Sequence, residues 1–334
     1  MQAAQLTKYA KDYQLTLNDI ATPTIQPNEV LIRTKVAAVN PLDSLIGTGS
    51  VRLIQNYQLP QTMGNELTGT IEQIGANVTG FNVGDAIYTR LPLDHIGAFA
   101  TYVTADYREV APLPKNLTFT TGAAAALTGL TAYQGLHEEL NAQPGQTVFI
   151  PGGSGSFGQM AIPIAKDMGL KVIVSGNAEA KERTLAIGAD QYFDYRRENY
   201  WEKLTDVDFV IDTLGAGEFE HELSIIKAGG RLLSLKAGPN RRFATDRHLP
   251  AWKRGLFTLA GAKFDRLAKQ HNVEYHFIFV RSDGAQLREV TRIIEKNQII
   301  PAIDPTEFSL ATINQAQEFL ANGHPKGKVV IPFP

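Results

Sequence analysis

The chain is 334 residues long, about twice the size of a common domain, so two domains are expected, each with enough apolar material for its own core. Hydrophobic residues make up 43% and charged residues 20%, which argues against a disordered chain and a membrane protein, and a net charge of −2 lacks the basic surplus of a nucleic-acid binder. The absence of cysteine excludes disulfides, thiol nucleophiles, thiolate-held iron–sulfur clusters and every thiolate zinc site.

The opening MQAAQLTKYAKDYQ contains no apolar stretch resembling the core of a signal peptide, and no run approaches the roughly 20 apolar residues of a membrane helix. A soluble, cytoplasmic protein with no membrane partner is expected. Up to about Pro114 short strands alternate with turns. NEVLIRTKVAAVN (Asn28 to Asn40) is rich in β-branched residues, and glycines and asparagines punctuate Gly64 to Arg90, the texture of an antiparallel barrel or sandwich.

The texture changes near Thr118. TFTTGAAAALTGLTAYQGLHEEL (Thr118 to Leu140) reads as a helix behind a threonine cap. Strand and helix then alternate: TVFI, SFGQMAIPIAKDMG, KVIVSG, AEAKERTLAIG, DQYFDY, DFVIDTLG, EFEHELSIIKAGG, RLLSLKAG and HFIFV (His276 to Val280). Short apolar strands alternating with helices imply a doubly wound parallel sheet of the Rossmann type. Pro163 falls inside one of these helices and is expected to kink it or remove a hydrogen bond. Pro239 to Arg254, with Arg241, Arg242, Arg247, Lys253 and Arg254 around Trp252 and His248, reads as a lid or a basic surface. The end of the chain, with AQLREVTRIIEKN, a strand pair in IIPAIDPTEFSL, INQAQEFLANG and GKVVIPF, is too short to stand alone. It is expected to pack back on the N-terminal part. The predicted domains are a β-rich one over 1–121, continued by 281–334, and a dinucleotide-binding one over 122–280.

Gly153-Ser154-Gly155-Ser156-Phe157-Gly158 fits G-x-G-x-x-G, directly after a strand and before a helix. In such a loop the first glycine makes the turn, the second admits a pyrophosphate and the third lets helix and strand pack, while the helix N-terminus attracts the phosphates. The second strand ends in Ser175-Gly176-Asn177, with Lys181 and Arg183 behind and no acid to bind a ribose 2′-hydroxyl. That pattern favours NADPH over NADH, although Lys181 and Arg183 also suit a solvated helix face. Tyr195, ending the next strand, suits adenine stacking or ordinary strand filling.

VAAVNPLDSLIGTG, GNELTGTIEQIGANVTGFNVGDAIY, GAFATYV, LTGLTAYQGL, the glycine loop, GADQYFDY, IKAGGRLLSL and GHPKGKVVI resemble, in this order, the zinc-independent medium-chain dehydrogenase/reductases, in their quinone oxidoreductase and alkenal reductase branch. The resemblance implies a discontinuous GroES-like domain, a Rossmann domain and a homodimer. It also implies that Thr128 contacts the nicotinamide amide, that Leu214 and Gly215 lie at the third strand end, that Phe279 and Val280 approach the nicotinamide, and that Lys328 reaches the cofactor. Where zinc-containing relatives carry a His-Glu pair, this chain reads Gly64-Asn65-Glu66. None of its seven histidines forms an H-x-x-H or H-x-x-x-H cluster, so no metal site is expected.

Without a metal, hydride transfer requires an intrinsically electrophilic acceptor and good positioning. A quinone or an α,β-unsaturated carbonyl meets that requirement as the small-molecule partner. The resemblance implies that Asn40 and Asp43 lie in the segment lining the acceptor side, and Tyr57 is a candidate hydroxyl donor there. Asn40 before Pro41 also fits a turn, and Asp43 also fits a buried structural acceptor. Two other readings stand beside the reductase: a zinc-independent alcohol or aldehyde oxidoreductase, and a low-turnover NADPH-binding or RNA-binding protein, to which only the basic 239–254 segment points.

Overall fold

The computed structural model describes residues 1–334. The chain forms two compact units, Met1–Leu130 with Arg281–Pro334, and Thr131–Val280. In the first unit β1 (Gln2–Leu6) pairs antiparallel with β2 (Leu15–Asp19). β3 (Glu29–Ala38) is a ten-residue strand rich in β-branched residues, and α1 (Pro41–Gly47) follows it with proline at its start. β4 (Gln61–Thr62) adds to β1, and β5 (Glu66–Ile74), β6 (Ala86–Arg90), β7 (Tyr102–Asp106) and β8 (Val110–Pro112) build the antiparallel sheet around β3. β3 pairs with β5 over most of its length and with β7 over Glu29–Arg33.

The helix expected over Thr118 to Leu140 is broken into α2 (Phe119–Gly122), α3 (Ala126–Gln134) and a π-helical turn at Gly135–Glu139. Side chains of β5 take up backbone groups around the break. Thr68 Oγ1 donates to the Phe119 carbonyl at 2.8 Å, and Glu66 Oε1 accepts the Leu127 N–H at 2.7 Å. These ties place the end of the first segment at Leu130, later than the 121 expected from the sequence, because α2 and the first turn of α3 belong to the β-rich unit.

The second unit holds β9 (Thr147–Ile150), α4 (Ser156–Asp167), β10 (Lys171–Gly176), α5 (Lys181–Ala186), β11 (Gln191–Asp194), β12 (Val207–Asp212), α6 (Phe219–Ile225), β13 (Ile226–Ser234), α7 (Arg241–Asp246), α8 (Ala251–Gln270) and β14 (Glu274–Phe277). All six strands are parallel, in the order β11-β10-β9-β12-β13-β14. The order reverses between β9 and β12, the switch point at which such sheets bind ligands beyond their strand ends. The core packs Phe149, Val210, Phe219, Leu232 and Tyr275. α4 runs through Pro163 because that residue sits in a continuous buried stretch, Met160 to Ala165, whose packing offsets one missing hydrogen bond.

Three expectations change. β14 begins and ends earlier than His276 to Val280, so Phe279 and Val280 lie beyond the strand. The basic 239–254 segment is largely helical: the Asn240 side chain caps α7 by accepting from Phe243 N–H, while Arg242 pairs with Glu274 and Arg247 donates to the Phe279 carbonyl. The strand pair expected in IIPAIDPTEFSL reduces to one parallel bridge between Ile303 and Lys328.

Residues past Val280 return to the first unit as α9 (Gly284–Asn297), α10 (Ile313–Asn322) and β15 (Val330–Pro332), which pairs antiparallel with Val36 to Ala38 of β3. A Rossmann-type parallel sheet and a discontinuous β-rich unit are therefore the architecture, as the sequence implied. No helix is long and apolar enough to cross a membrane.

Candidate active site

Two polar centres carry the expected residues, one in each unit. In the second unit the ends of β9, β10 and β12 come together at the glycine loop. A Cβ on Gly158 would stand 1.7 Å from the Gly153 carbonyl oxygen, and one on Gly153 would stand 2.8 Å from that of Ile150. Both are glycine because the fold leaves no room. Gly155 differs. It has an extended backbone that any residue adopts, and the nearest atom to a Cβ there is the Gly152 oxygen at 3.8 Å. Nothing in the protein itself demands this glycine, and it caps α4 with no side-chain hydrogen bond, leaving Ser156 and Phe157 in the open first turn. A cradle at a helix N-terminus that a Cβ would fill fits a dinucleotide pyrophosphate.

Ser175 is buried and its hydroxyl accepts the Gly152 N–H at 3.3 Å, so it braces the loop from below. A Cβ on Gly176 would meet Tyr192 Oη at 2.2 Å and Ser154 Oγ at 2.4 Å, so these two hydroxyls already fill the space at the strand end. The Asn177 side chain caps the next turn by accepting from Ala180 N–H at 3.0 Å. Lys181 is exposed on α5, whereas Arg183 reaches back and donates to the Ser154 carbonyl at 3.2 Å. Arg183 is thus the cation that the structure holds against the loop. Tyr195 is exposed, with the Arg196 guanidinium 5.6 Å from its ring centre.

Leu214 and Gly215 donate their N–H groups to Asp212 Oδ1 at 2.7 and 2.6 Å, while Asp212 Oδ2 accepts from Ser234 Oγ at 2.6 Å. One buried carboxylate therefore shapes the turns after both β12 and β13, a role the sequence did not reveal. Gly215 needs its glycine for a φ of +92°. Phe279 packs near Phe243 and Phe277, and Val280 is buried.

In the first unit Asn40, Asp43, Asn65, Glu66 and Lys328 form one buried network. Asp43 accepts from Asn40 N–H at 2.8 Å and from Asn65 Nδ2 at 3.0 Å. Asn40 Nδ2 donates toward Glu66 Oε2 at 3.1 Å, and toward Asn65 Oδ1 and the Ala38 carbonyl at 3.3 Å. Lys328 Nζ lies 2.7 Å from Glu66 Oε2 and 2.6 Å from Asn40 Oδ1. Burial pushes the Asp43 carboxyl up to about 7; the neighbouring Glu66 adds to this, while Asn40, Lys328 and Asn65 oppose it.

The polar atoms of the expected residues are engaged within the protein. The Asn40 amide is engaged within the network on both its oxygen and its nitrogen, so it acts as a frame. Lys328 directs its ammonium to Glu66 and Asn40. Tyr57 donates its hydroxyl to the Leu93 carbonyl at 2.5 Å and takes the Tyr9 hydroxyl on its own N–H, and burial raises its pKa. Thr128 donates to the Ala124 carbonyl at 2.8 Å on α3. Glu66 was visible in the sequence only as part of the altered Gly64-Asn65-Glu66 segment, and nothing local marked it as the centre of a network. No group of three or more His, Cys, Asp or Glu side chains is placed to hold a metal ion.

Comparison with known proteins agrees with the fold. Residues 26–115 match the alcohol dehydrogenase GroES-like domain, and residues 187–331 match the family described as zinc-binding dehydrogenase. The chain is 30% identical to the 2-methylene-furan-3-one reductase of Solanum lycopersicum over 345 aligned residues, covering 100% of this chain and 80% of that protein. It is 31% identical to the quinone oxidoreductase of Homo sapiens, covering 70% of this chain and 72% of that one. A solved quinone oxidoreductase from Coxiella burnetii superposes with a TM-score of 0.82 at 25% identity, covering 100% of this chain and 99% of the other. The loop, the parallel sheet and these relatives together establish that the chain belongs to the medium-chain dehydrogenase/reductase superfamily, as an oxidoreductase of its quinone oxidoreductase branch.

Proposed function

We propose that this oxidoreductase uses NADPH and, without a metal, reduces a quinone or an α,β-unsaturated carbonyl. The observation that carries the cofactor assignment is the pairing of the open Gly155 cradle with a β10 end that lacks an acid and has Arg183 tied to the loop. NADPH, when bound, supplies the hydride. The Gly153–Gly158 loop and the α4 N-terminus hold the pyrophosphate; Ser175, Gly176, Asn177, Lys181 and Arg183 surround the 2′-phosphate, and Tyr195 offers its exposed ring to the adenine. Thr128, Leu214, Gly215, Phe279 and Val280 serve the nicotinamide end.

On the acceptor side, Asn40, Asp43 and Tyr57 support the site through buried hydrogen bonds. No polarising metal enters this reading, so the acceptor must be electrophilic by itself, as a quinone or an enone is. The names of the tomato and human relatives support that substrate class. The reading includes the homodimer implied by the resemblance, which light scattering of the purified chain tests.

The deciding experiment follows NADPH and NADH oxidation against quinones, enones and aldehydes, with and without a chelator. Turnover of quinones or enones with NADPH, unchanged by the chelator, is expected. Chelator-sensitive turnover, a preference for NADH, or activity confined to aldehydes overturns the corresponding part of the reading.

A further inference from the structure

α3 begins in the run Ala123-Ala124-Ala125-Ala126, which has no Ser, Thr, Asp or Asn to accept from the N–H groups of its first turn. A side chain from another element does so. Glu66 Oε1, at the start of β5, accepts the Leu127 N–H at 2.7 Å, one residue before Thr128. The carboxylate also lies at the positive end of the helix dipole. Its second oxygen, Oε2, is 2.7 Å from Lys328 Nζ. Lys328 is fixed in turn by its backbone, which donates to the Ala302 carbonyl and accepts from Asp304 N–H, both at 2.9 Å. Glu66 and Lys328 are both buried, so the pair is rigid and shielded from salt.

We infer that Glu66 and Lys328 form a clamp that fixes the first turn of α3 and thereby aims Thr128, making both of them positioning residues for the nicotinamide end of the cofactor. This rests on the proposed contact between Thr128 and the nicotinamide. The clamp replaces the local cap that the alanine run omits, and an ion pair with no freedom to rotate sets the helix start more narrowly than a flexible surface cap would. Lys328 acts only through Glu66 and Asn40.

The test compares Glu66→Gln, the Glu66→Gln/Lys328→Met double variant and Thr128→Val with the unaltered chain. The double variant removes both charges of the Glu66–Lys328 pair, and it replaces the single one if Glu66→Gln fails to fold. Affinity is read by titration with NADPH and with adenosine 2′,5′-bisphosphate, which lacks the nicotinamide half. Amide hydrogen exchange at Leu127 and Thr128 is read without cofactor. The clamp variants are expected to bind NADPH about tenfold more weakly, in line with the loss of a helix cap. They are expected to bind the bisphosphate unchanged, to exchange the Leu127 amide faster, and to show no additional loss when combined with Thr128→Val. If Thr128→Val binds NADPH normally, the nicotinamide reading falls and the positioning role with it. If Thr128→Val weakens NADPH while the clamp variants change neither affinity nor exchange, the clamp alone is overturned. Equal weakening of both ligands shows general structural damage and also overturns it.

Discussion

Glu222 is buried against Asp212, and the two carboxyl groups lie within hydrogen-bond reach of each other. Burial, reinforced by Asp212 and Glu218, pushes this carboxyl up to about 10. The folded chain therefore retains a proton that the unfolded chain releases above the ordinary carboxylate range. Stability is fullest at acid pH and falls as pH rises toward about 10, by at most about 1.4 kcal/mol per pH unit from this group. Glu222→Gln keeps the shape and removes the titration. Denaturant melts between pH 5 and 9 are expected to show a flatter slope for the variant; an unchanged slope shows that Glu222 does not titrate as its surroundings dictate.

Gly158 and Gly155 separate folding from binding. Gly158→Ala drives a methyl into the Gly153 carbonyl, so thermal unfolding is expected to occur several degrees lower or expression to fail. Gly155→Ala meets no protein atom closer than 3.8 Å and is expected to melt within a degree or two of the parent while binding NADPH at least about tenfold more weakly. Equal melting and binding losses for the two variants would contradict the cradle.

Arg183→Ala removes the guanidinium held on the Ser154 carbonyl. Loss of a charge-assisted contact to the 2′-phosphate is expected to weaken NADPH about tenfold to a hundredfold, with NADH nearly unaffected. Calorimetric titration with both cofactors measures the ratio. Parallel losses for the two would place Arg183 away from the phosphate.

Lys328→Met leaves the Glu66 carboxylate buried without its cation and is expected to cost about 3–5 kcal/mol in a denaturant melt. Adding Glu66→Gln is expected to restore much of that loss, because the penalty belongs to the unpaired charge. A double variant as unstable as the single one would mean that packing of the lysine stem dominates.

The parallel-sheet unit was legible in the sequence because its signals are local. The spacing of Gly153, Gly155 and Gly158 and the alternation of short apolar strands with helices each depend on a few consecutive residues, and the structure places them at one set of strand ends. The buried polar network of the first unit was legible only in part. Asn40 and Asp43 stand out in the sequence through Asn-Pro and a resemblance, but their meaning depends on Glu66 and on Lys328, joined only by the closed fold. Tyr57 shows the same gap: its hydroxyl reads as open to an acceptor until the Leu93 carbonyl is seen to receive it. The basic 239–254 run misled because charge density says nothing about Asn240 capping a helix or Arg242 finding Glu274.

The return of the last residues to β3 sets an order of events during synthesis. All of Thr131–Val280 leaves the ribosome before Val330–Pro332 exists, so the parallel sheet can close while the antiparallel one still lacks a strand. Asn40 precedes Lys328 by 288 residues. Throughout that interval Asp43 and Glu66 have no ammonium to offset them, and water must remain around the nascent β-rich unit until translation delivers it. The unit encoded first is thus the one completed last.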